Sequence, residues 1–288
     1  MLARKSEVLS RRAFLRRAGM VGAGLAVAPS LLWYGKDVEP GFLEVTRLKV
    51  NLPRLPAAFE GMTIAQLSDI HFGPFVKTSE VREAVDATMQ LEPDLVVVTG
   101  DFVSRVSYGE AELIVQEFTR LRAPMGVYGI LGNHDIWNDS EVVADGIRRA
   151  GLTLLRNSNV FFEAGGDRLY LAGIDDFWER RNDLPLALKG VPDKACAILL
   201  AHEPDFADEA SADGRPVFQM SGHSHGGQIK LPVLGPPQLP QLGRKYPEGL
   251  RKVGQMWLYT NRGVGVVSPP LRFNCRPEVT FFELVREF

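Results

Sequence analysis

Six short apolar runs, Thr63–Ser68, Leu95–Thr99, Gly126–Leu131, Arg168–Ile174, Ala195–Ala201 and Val217–Ser221, set the character of this chain. They have the length and continuity of buried strands. Between the first of them, Ser79–Leu91, Gly109–Leu121 and Ser140–Ala150 carry helical spacing, with Ser79 and Ser140 placed as N-caps. The alternation predicts a layered α/β domain over residues 57–288, about 240 residues or less and within the size one core supports. Ahead of it, residues 35–56 read as a linker plus an edge strand, Leu43–Val50. From Gln228 the chain turns rich in Pro and Gly, an irregular loop region followed by closing strands at Met256–Thr260 and Val279–Leu284.

The polar residues follow the same plan. Asp69-Ile70-His71 comes directly after the first run, Gly100-Asp101 after the second and Gly132-Asn133-His134-Asp135 after the third. His202-Glu203-Pro204-Asp205 and Gly222-His223-Ser224-His225 follow two later runs. All five histidines of the chain therefore sit just past the carboxyl end of a strand, the edge at which open α/β sheets bind ligands. Asp69 and His71, like His223 and His225, are two apart, so in extended chain each pair points the same way. The glycines before Asp101, Asn133 and His223 permit close backbone approach.

Carboxylate, carboxamide and imidazole donors without thiolate suit Mn, Fe or Zn at a catalytic rather than a structural site. Asp69, His71, Asp101, Asn133, His202, His223 and His225 are too many for one ion with open positions. Two divalent ions sharing Asp101 use them well. Any one of these motifs alone fits a capped turn; their joint order is what points to chemistry.

With these five blocks the chain resembles the calcineurin-like dinuclear metallophosphoesterases over roughly residues 60–285, and within them the twin-arginine-exported phosphodiesterases of the bacterial envelope. Gly226-Gly227-Gln228, Gly243-Arg244-Lys245-Tyr246, Asn261-Arg262-Gly263-Val264-Gly265 and Arg276-Pro277-Glu278 support the closer match. The resemblance implies a β-sandwich flanked by helices, with metals at the carboxyl ends of the strands. It implies that Asp69, His71, Asp101 and His225 hold one ion, and that Asp101, Asn133, His202 and His223 hold the other. Two ions and two aspartates leave a centre that attracts phosphate and, with a bridging hydroxide, attacks phosphorus in line. His134, uncommitted to metal, is the candidate acid for the leaving oxygen, with Asp135 as its orienting partner.

Residues 1–19 hold six basic residues and one acidic one, leaving 27 basic and 34 acidic in the remainder. An acidic body of this kind argues against nucleic acid as a partner. Ser10-Arg11-Arg12-Ala13-Phe14-Leu15-Arg16, followed by the uncharged stretch Gly19–Tyr34, reads as a twin-arginine export signal over residues 1–34. Ala26-Val27-Ala28 has the form of a cleavage site that Pro29 obstructs, so the segment could stay as an N-terminal anchor, with Trp33 and Tyr34 at the bilayer interface. A periplasmic location, or one on the outer face of the cytoplasmic membrane, is expected. The partners expected are the twin-arginine translocation machinery, a peripheral or anchored membrane contact, and a phosphate-ester substrate of the envelope or lipid surface.

Two other functions fit the same residues: pyrophosphate cleavage in UDP-2,3-diacylglucosamine, a lipid A precursor, and a non-catalytic envelope binding protein that keeps the fold. Cys196, in an apolar run, reads as an inert core thiol whose pairing with Cys275 is left open. Arg244, Lys245, Arg262 and Arg272 read as surface charges and Asp175-Asp176 as a turn.

Overall fold

The computed structural model describes residues 11–12, 29–105 and 109–287. The export motif and the uncharged stretch after it lie largely outside these residues. Among the described residues, the first strands in chain order are β1 (Glu44–Leu52), β2 (Thr63–Leu67), β3 (Leu95–Val98), β4 (Val127–Gly129), β5 (Thr153–Leu154) and β6 (Ser158–Ala164). They are followed by β7 (Asp167–Gly173), β8 (Cys196–Leu200), β9 (Pro216–Ser221), β10 (Gly249–Val253), β11 (Met256–Thr260) and β12 (Glu278–Arg286). One sheet has the order β1-β12-β2-β3-β4-β5 and the other β10-β11-β9-β8-β7-β6. Strands β2 to β5 run parallel, as do β7, β8, β9 and β11.

The two sheets face each other across a core that includes Ile64, Val97, Ile198, Phe218, Met220 and Phe282. On the outer face of the first sheet lie the helices Thr78–Gln90, Glu110–Phe118 and Ser140–Arg149, which bury Val85, Phe118 and Ile147 against Val96 and Val98. Each such side chain contributes about 1.5–3 kcal/mol of transfer free energy. Leu184–Ala187 and Ala207–Asp213 cover the outer face of the second sheet. The result is the expected helix-flanked sandwich.

The N-caps lie ahead of the expected serines, at Lys77 rather than Ser79 and at Asp139 rather than Ser140. Asp139 caps Ser140–Arg149 by accepting the Glu141 and Val142 N–H groups at 3.2 and 3.3 Å. Glu80 closes the start of Thr78–Gln90 by accepting the Lys77 N–H at 3.1 Å. A carboxylate competes well for these orphan donors and also meets the positive end of the helix dipole. Strands β6 and β10 carry no continuous apolar run because each is the outermost strand of its sheet. Arg251 and Lys252 of β10 are accordingly exposed.

The stretch expected to be a linker is docked where it meets the domain. Tyr34–Val38 and Glu39–Gly41 form helical turns. The Gly35 carbonyl accepts the Arg272 N–H at 2.8 Å, and the buried Glu39 carboxylate accepts the Asn274 and Cys275 N–H groups at 2.9 and 2.5 Å. No helix among the described residues is long and apolar enough to cross a membrane.

Candidate metal centre

Because β2, β3, β4, β8 and β9 end at the same edge of the sandwich, the loops after them meet there. Cross-sheet hydrogen bonds fix the meeting. Gln66 Nε2 donates to the Ser221 carbonyl at 2.9 Å, and the Val264 N–H donates to the Ser68 carbonyl at 3.0 Å. The His223 N–H lies 2.9 and 3.0 Å from the two oxygens of Asp69. Asp69, His71, Asp101, His223 and His225 all have φ between 50° and 68°. Non-glycine residues seldom adopt that region, and such strain gathers at functional sites.

The pairs two apart are therefore not extended, and this corrects the expected geometry. Asp69 and His71 still converge with His225, whereas His223 turns away from His225 to join Asp101 and His202. The left-handed residues reverse the chain between the members of each pair, so spacing alone did not fix direction.

Asp101 lies between the two groups. Its Oδ2 is 3.1 Å from His202 Nε2 and 3.4 Å from His71 Nε2, while Oδ1 accepts the His134 N–H at 2.9 Å. His225 Nε2 is 3.3 Å from Asp69 and 3.0 Å from His71 Nε2. His223 faces an acceptor on each side, Nε2 lying 2.8 Å from the Gln241 carbonyl and Nδ1 2.9 Å from the Asn133 side-chain oxygen, and a neutral ring can donate to only one; with its N–H on Gln241, Nδ1 meets Asn133 as a second acceptor. Two lone pairs face each other there, an arrangement that a cation relieves. His202 likewise commits Nδ1 to the Thr99 carbonyl at 2.7 Å, which leaves its buried Nε2 directed at Asp101. All seven expected donors are buried, and they fit two divalent ions sharing Asp101. The Thr99 and Gln241 carbonyls that orient the imidazoles carry no side-chain signal in sequence.

Burial sets the electrostatics. It pushes His71 and His223 down to about 3, so both are neutral, and raises Asp69 to about 6. Burial also disfavours charge on Asp101 and His202, but their mutual attraction overrides it, holding Asp101 well below and His202 well above their usual ranges.

His134 is half-buried on the wall of a cleft of about 230 Å³, beside Asp101 and Asn133. Its Nδ1 lies 3.4 Å from the Ser104 carbonyl, and its ring packs edge-on to His71 at 4.7 Å and against Trp137 at 4.9 Å. Asp135 does not orient it. Next to His134 on the short helix Asn133–Trp137, Asp135 points back into the protein and accepts the Gly132 and Val103 N–H groups at 3.0 and 3.1 Å. Burial, then the charge of Asp101, raises it to about 7. Adjacent helical residues project about 100° apart, which separates the two roles.

Trp137 and Trp178 were not picked out from sequence. They meet edge to face at 5.5 Å and form an aromatic wall of the cleft, with Ile229, Pro237, Val267 and Pro269 also on its lining. The expected surface charges divide. Arg272 is buried and donates to the carbonyls of Arg262, Gly263, Gly265 and Cys275 at 2.6–3.0 Å. Arg262 pairs with Glu278 and Glu44, and exposed Lys245 pairs with Asp208. Arg272 is thus a core element, its charge spread over four acceptors. Asp175 pairs with Arg156 at 2.9 Å, and Asp176 accepts the Glu179 N–H at 2.6 Å as a turn residue. Cys196 and Cys275 are both buried and unpaired.

Residues 62–227 match the family model described as calcineurin-like phosphoesterase. The chain belongs to that family, and it is a hydrolase of phosphoric ester bonds. It is 34% identical to the metallophosphoesterase YkuE of Bacillus subtilis, over 96% of this chain and 98% of that protein. It is 30% identical to the phosphodiesterase YaeI of Escherichia coli, over 96% of this chain and all of that protein. It is 28% identical to the UDP-2,3-diacylglucosamine pyrophosphatase LpxG of Chlamydia trachomatis, over 91% and 96%. The family implies divalent metal ions, and the clustered groups Asp69/His71/His225 and Asp101/His202/His223 are candidate places for them, with His134 close to His71 and Asp101 between the two.

Proposed function

We propose that this enzyme is a phosphodiesterase of the cell envelope, exported by its twin-arginine signal and acting with two divalent ions, of which manganese suits the donor set best. Asp69, His71, Asp101 and His225 would hold one ion and Asp101, Asn133, His202 and His223 the other. Bound there, the ions would supply Lewis acidity toward a phosphoryl oxygen and would lower the pKa of a nearby water. The protein's own part is positioning. The His134 backbone N–H is tied to Asp101, and its ring is packed between His71 and Trp137, so the imidazole keeps its place beside the ligands. With Nδ1 facing the Ser104 carbonyl, the other nitrogen is left to protonate or hydrogen-bond the leaving oxygen.

The observation that carries this reading is the convergence of all seven donors at one sheet edge, with His134 uncommitted beside them on an apolar cleft. A diester rather than a monoester is favoured by that cleft, because Trp137, Trp178 and Ile229 suit a second, carbon-rich ester arm. The test is hydrolysis of bis-p-nitrophenyl phosphate against p-nitrophenyl phosphate by the purified protein with Mn, Fe or Zn. Faster cleavage of the monoester would overturn the diester assignment. The same cleft, with the similarity to LpxG, supports pyrophosphate cleavage in a lipid-linked nucleotide as a second reading; release of UMP from UDP-2,3-diacylglucosamine distinguishes it.

A further inference from the structure

Beyond the cleft, the chain makes a tight turn in which the backbones of Leu231 and Gly235 exchange both hydrogen bonds at 2.9 Å. The turn carries Pro232, Val233 and Leu234 away from the body. Val233 is 105% exposed and Leu234 81%, with Leu231 and Pro232 also exposed. Val233 sits at φ 68°, a conformation that a β-branched residue strongly disfavours. An apolar tip in strained presentation is costly in water unless something covers it.

What covers it is indicated by where the apolar N-terminal segment ends. Tyr34 packs edge-on to Phe273 at 6.3 Å, and the Phe273 carbonyl accepts the Lys230 N–H at 2.8 Å, one residue before the tip. Leu31, Leu32 and Trp33, which continue the uncharged stretch Gly19–Tyr34, are exposed beside this junction. The stem of the tip also forms part of the cleft, through Ile229 and Pro237.

We infer that the Leu231–Leu234 tip inserts into a lipid bilayer and, together with Leu31, Leu32 and Trp33, holds the mouth of the cleft against the membrane surface. The partner is the apolar edge of a lipid leaflet, and the substrates reached this way are phosphate esters carried by the lipid headgroup layer. An N-terminal segment retained as an anchor would by itself only tether the domain; the tip would also fix its orientation. The inference rests on the reading above in taking the cleft as the place of hydrolysis.

Because Cys196 and Cys275 are buried, a thiol-reactive fluorophore will report selectively on Val233→Cys in the full chain. With vesicles of equal parts phosphatidylglycerol and phosphatidylcholine, the emission of this label should shift to the blue and its quenching by iodide should fall at least threefold. A label on Asp167→Cys, in the β6–β7 turn at the other end of the sheet, should stay quenchable. A Val233 label that remains as quenchable with vesicles as without them overturns the proposal. So does one already protected without vesicles, which would assign the tip to a second copy of the chain. Cleavage of bis-p-nitrophenyl phosphate by the labelled protein at the parent rate shows that it is folded; if that is lost, Leu234→Cys takes its place. Failure of the parent itself to cleave the diester would reject the proposed activity while leaving the label to decide the docking.

Discussion

His71 and His225, 154 positions apart in sequence, bring their Nε2 atoms to 3.0 Å with the rings stacked at 25°. Both are buried and neutral, so no charge attraction holds them there, and each has its Nδ1 without a partner. A cation held between them, as proposed above, would account for the contact. On the proposed ligand set, elemental analysis should find two divalent ions per chain in the parent, about one in His225→Ala and fewer still in Asp101→Ala, because Asp101 lies between the two groups. Unchanged metal content in Asp101→Ala would contradict the shared carboxylate.

His134 is expected to matter to turnover rather than to metal. His134→Ala should retain both ions and lose about 10²–10⁴-fold in kcat toward a diester. A loss of metal comparable to that in Asp101→Ala would move His134 into the ligand set.

Proton competition should make metal binding pH-dependent. Without metal, folded Asp69 is pushed up to about 6 and His202 is held well above its usual value, so both carry protons at pH 5 that an ion must displace. Asp69 has lost its proton by pH 8. His71 and His223, near 3, carry none at either pH and add nothing to the difference. The rise in Tm on adding Mn should therefore be larger at pH 8 than at pH 5. An equal rise at both would show that the ion does not displace these protons.

Gly222 tests the close packing beneath the site. A Cβ there would lie 1.9 Å from Ser68 Oγ and 2.2 Å from Asp69 Oδ2. Gly222→Ala should cost about 1–3 kcal/mol by overpacking and lower metal occupancy, because the nearest atom to yield belongs to a ligand or its neighbour. Chemical denaturation with metal analysis on the same samples measures both.

Trp137 is half-exposed, and its indole N–H is held by Glu179 Oε1 at 2.7 Å. If it receives the second ester arm, Trp137→Ala should raise KM for bis-p-nitrophenyl phosphate while changing KM for p-nitrophenyl phosphate far less. Equal changes for both would reject the subsite.

Much of the domain is legible in the chain because its central strands are buried on both faces. Leu95–Val98, Cys196–Leu200 and Pro216–Ser221 are wholly buried, and burial on both faces leaves a continuous apolar run that sequence displays. The outer strands β6 and β10 were missed because one side of each meets water. In sequence Asp135 looks like a catalytic partner and Arg272 like a surface charge, yet each is consumed by backbone groups that only folding brings to it.

By itself the sequence determined which residues can bind metal and that they follow strand ends, since residue type and the period of the apolar pattern are local properties. Which histidine faces which carboxylate was decided by the tertiary structure. Left-handed turns at Asp69, His71, Asp101, His223 and His225 redirect the side chains, and the partners that fix them are backbone carbonyls such as those of Thr99 and Gln241, supplied by distant segments.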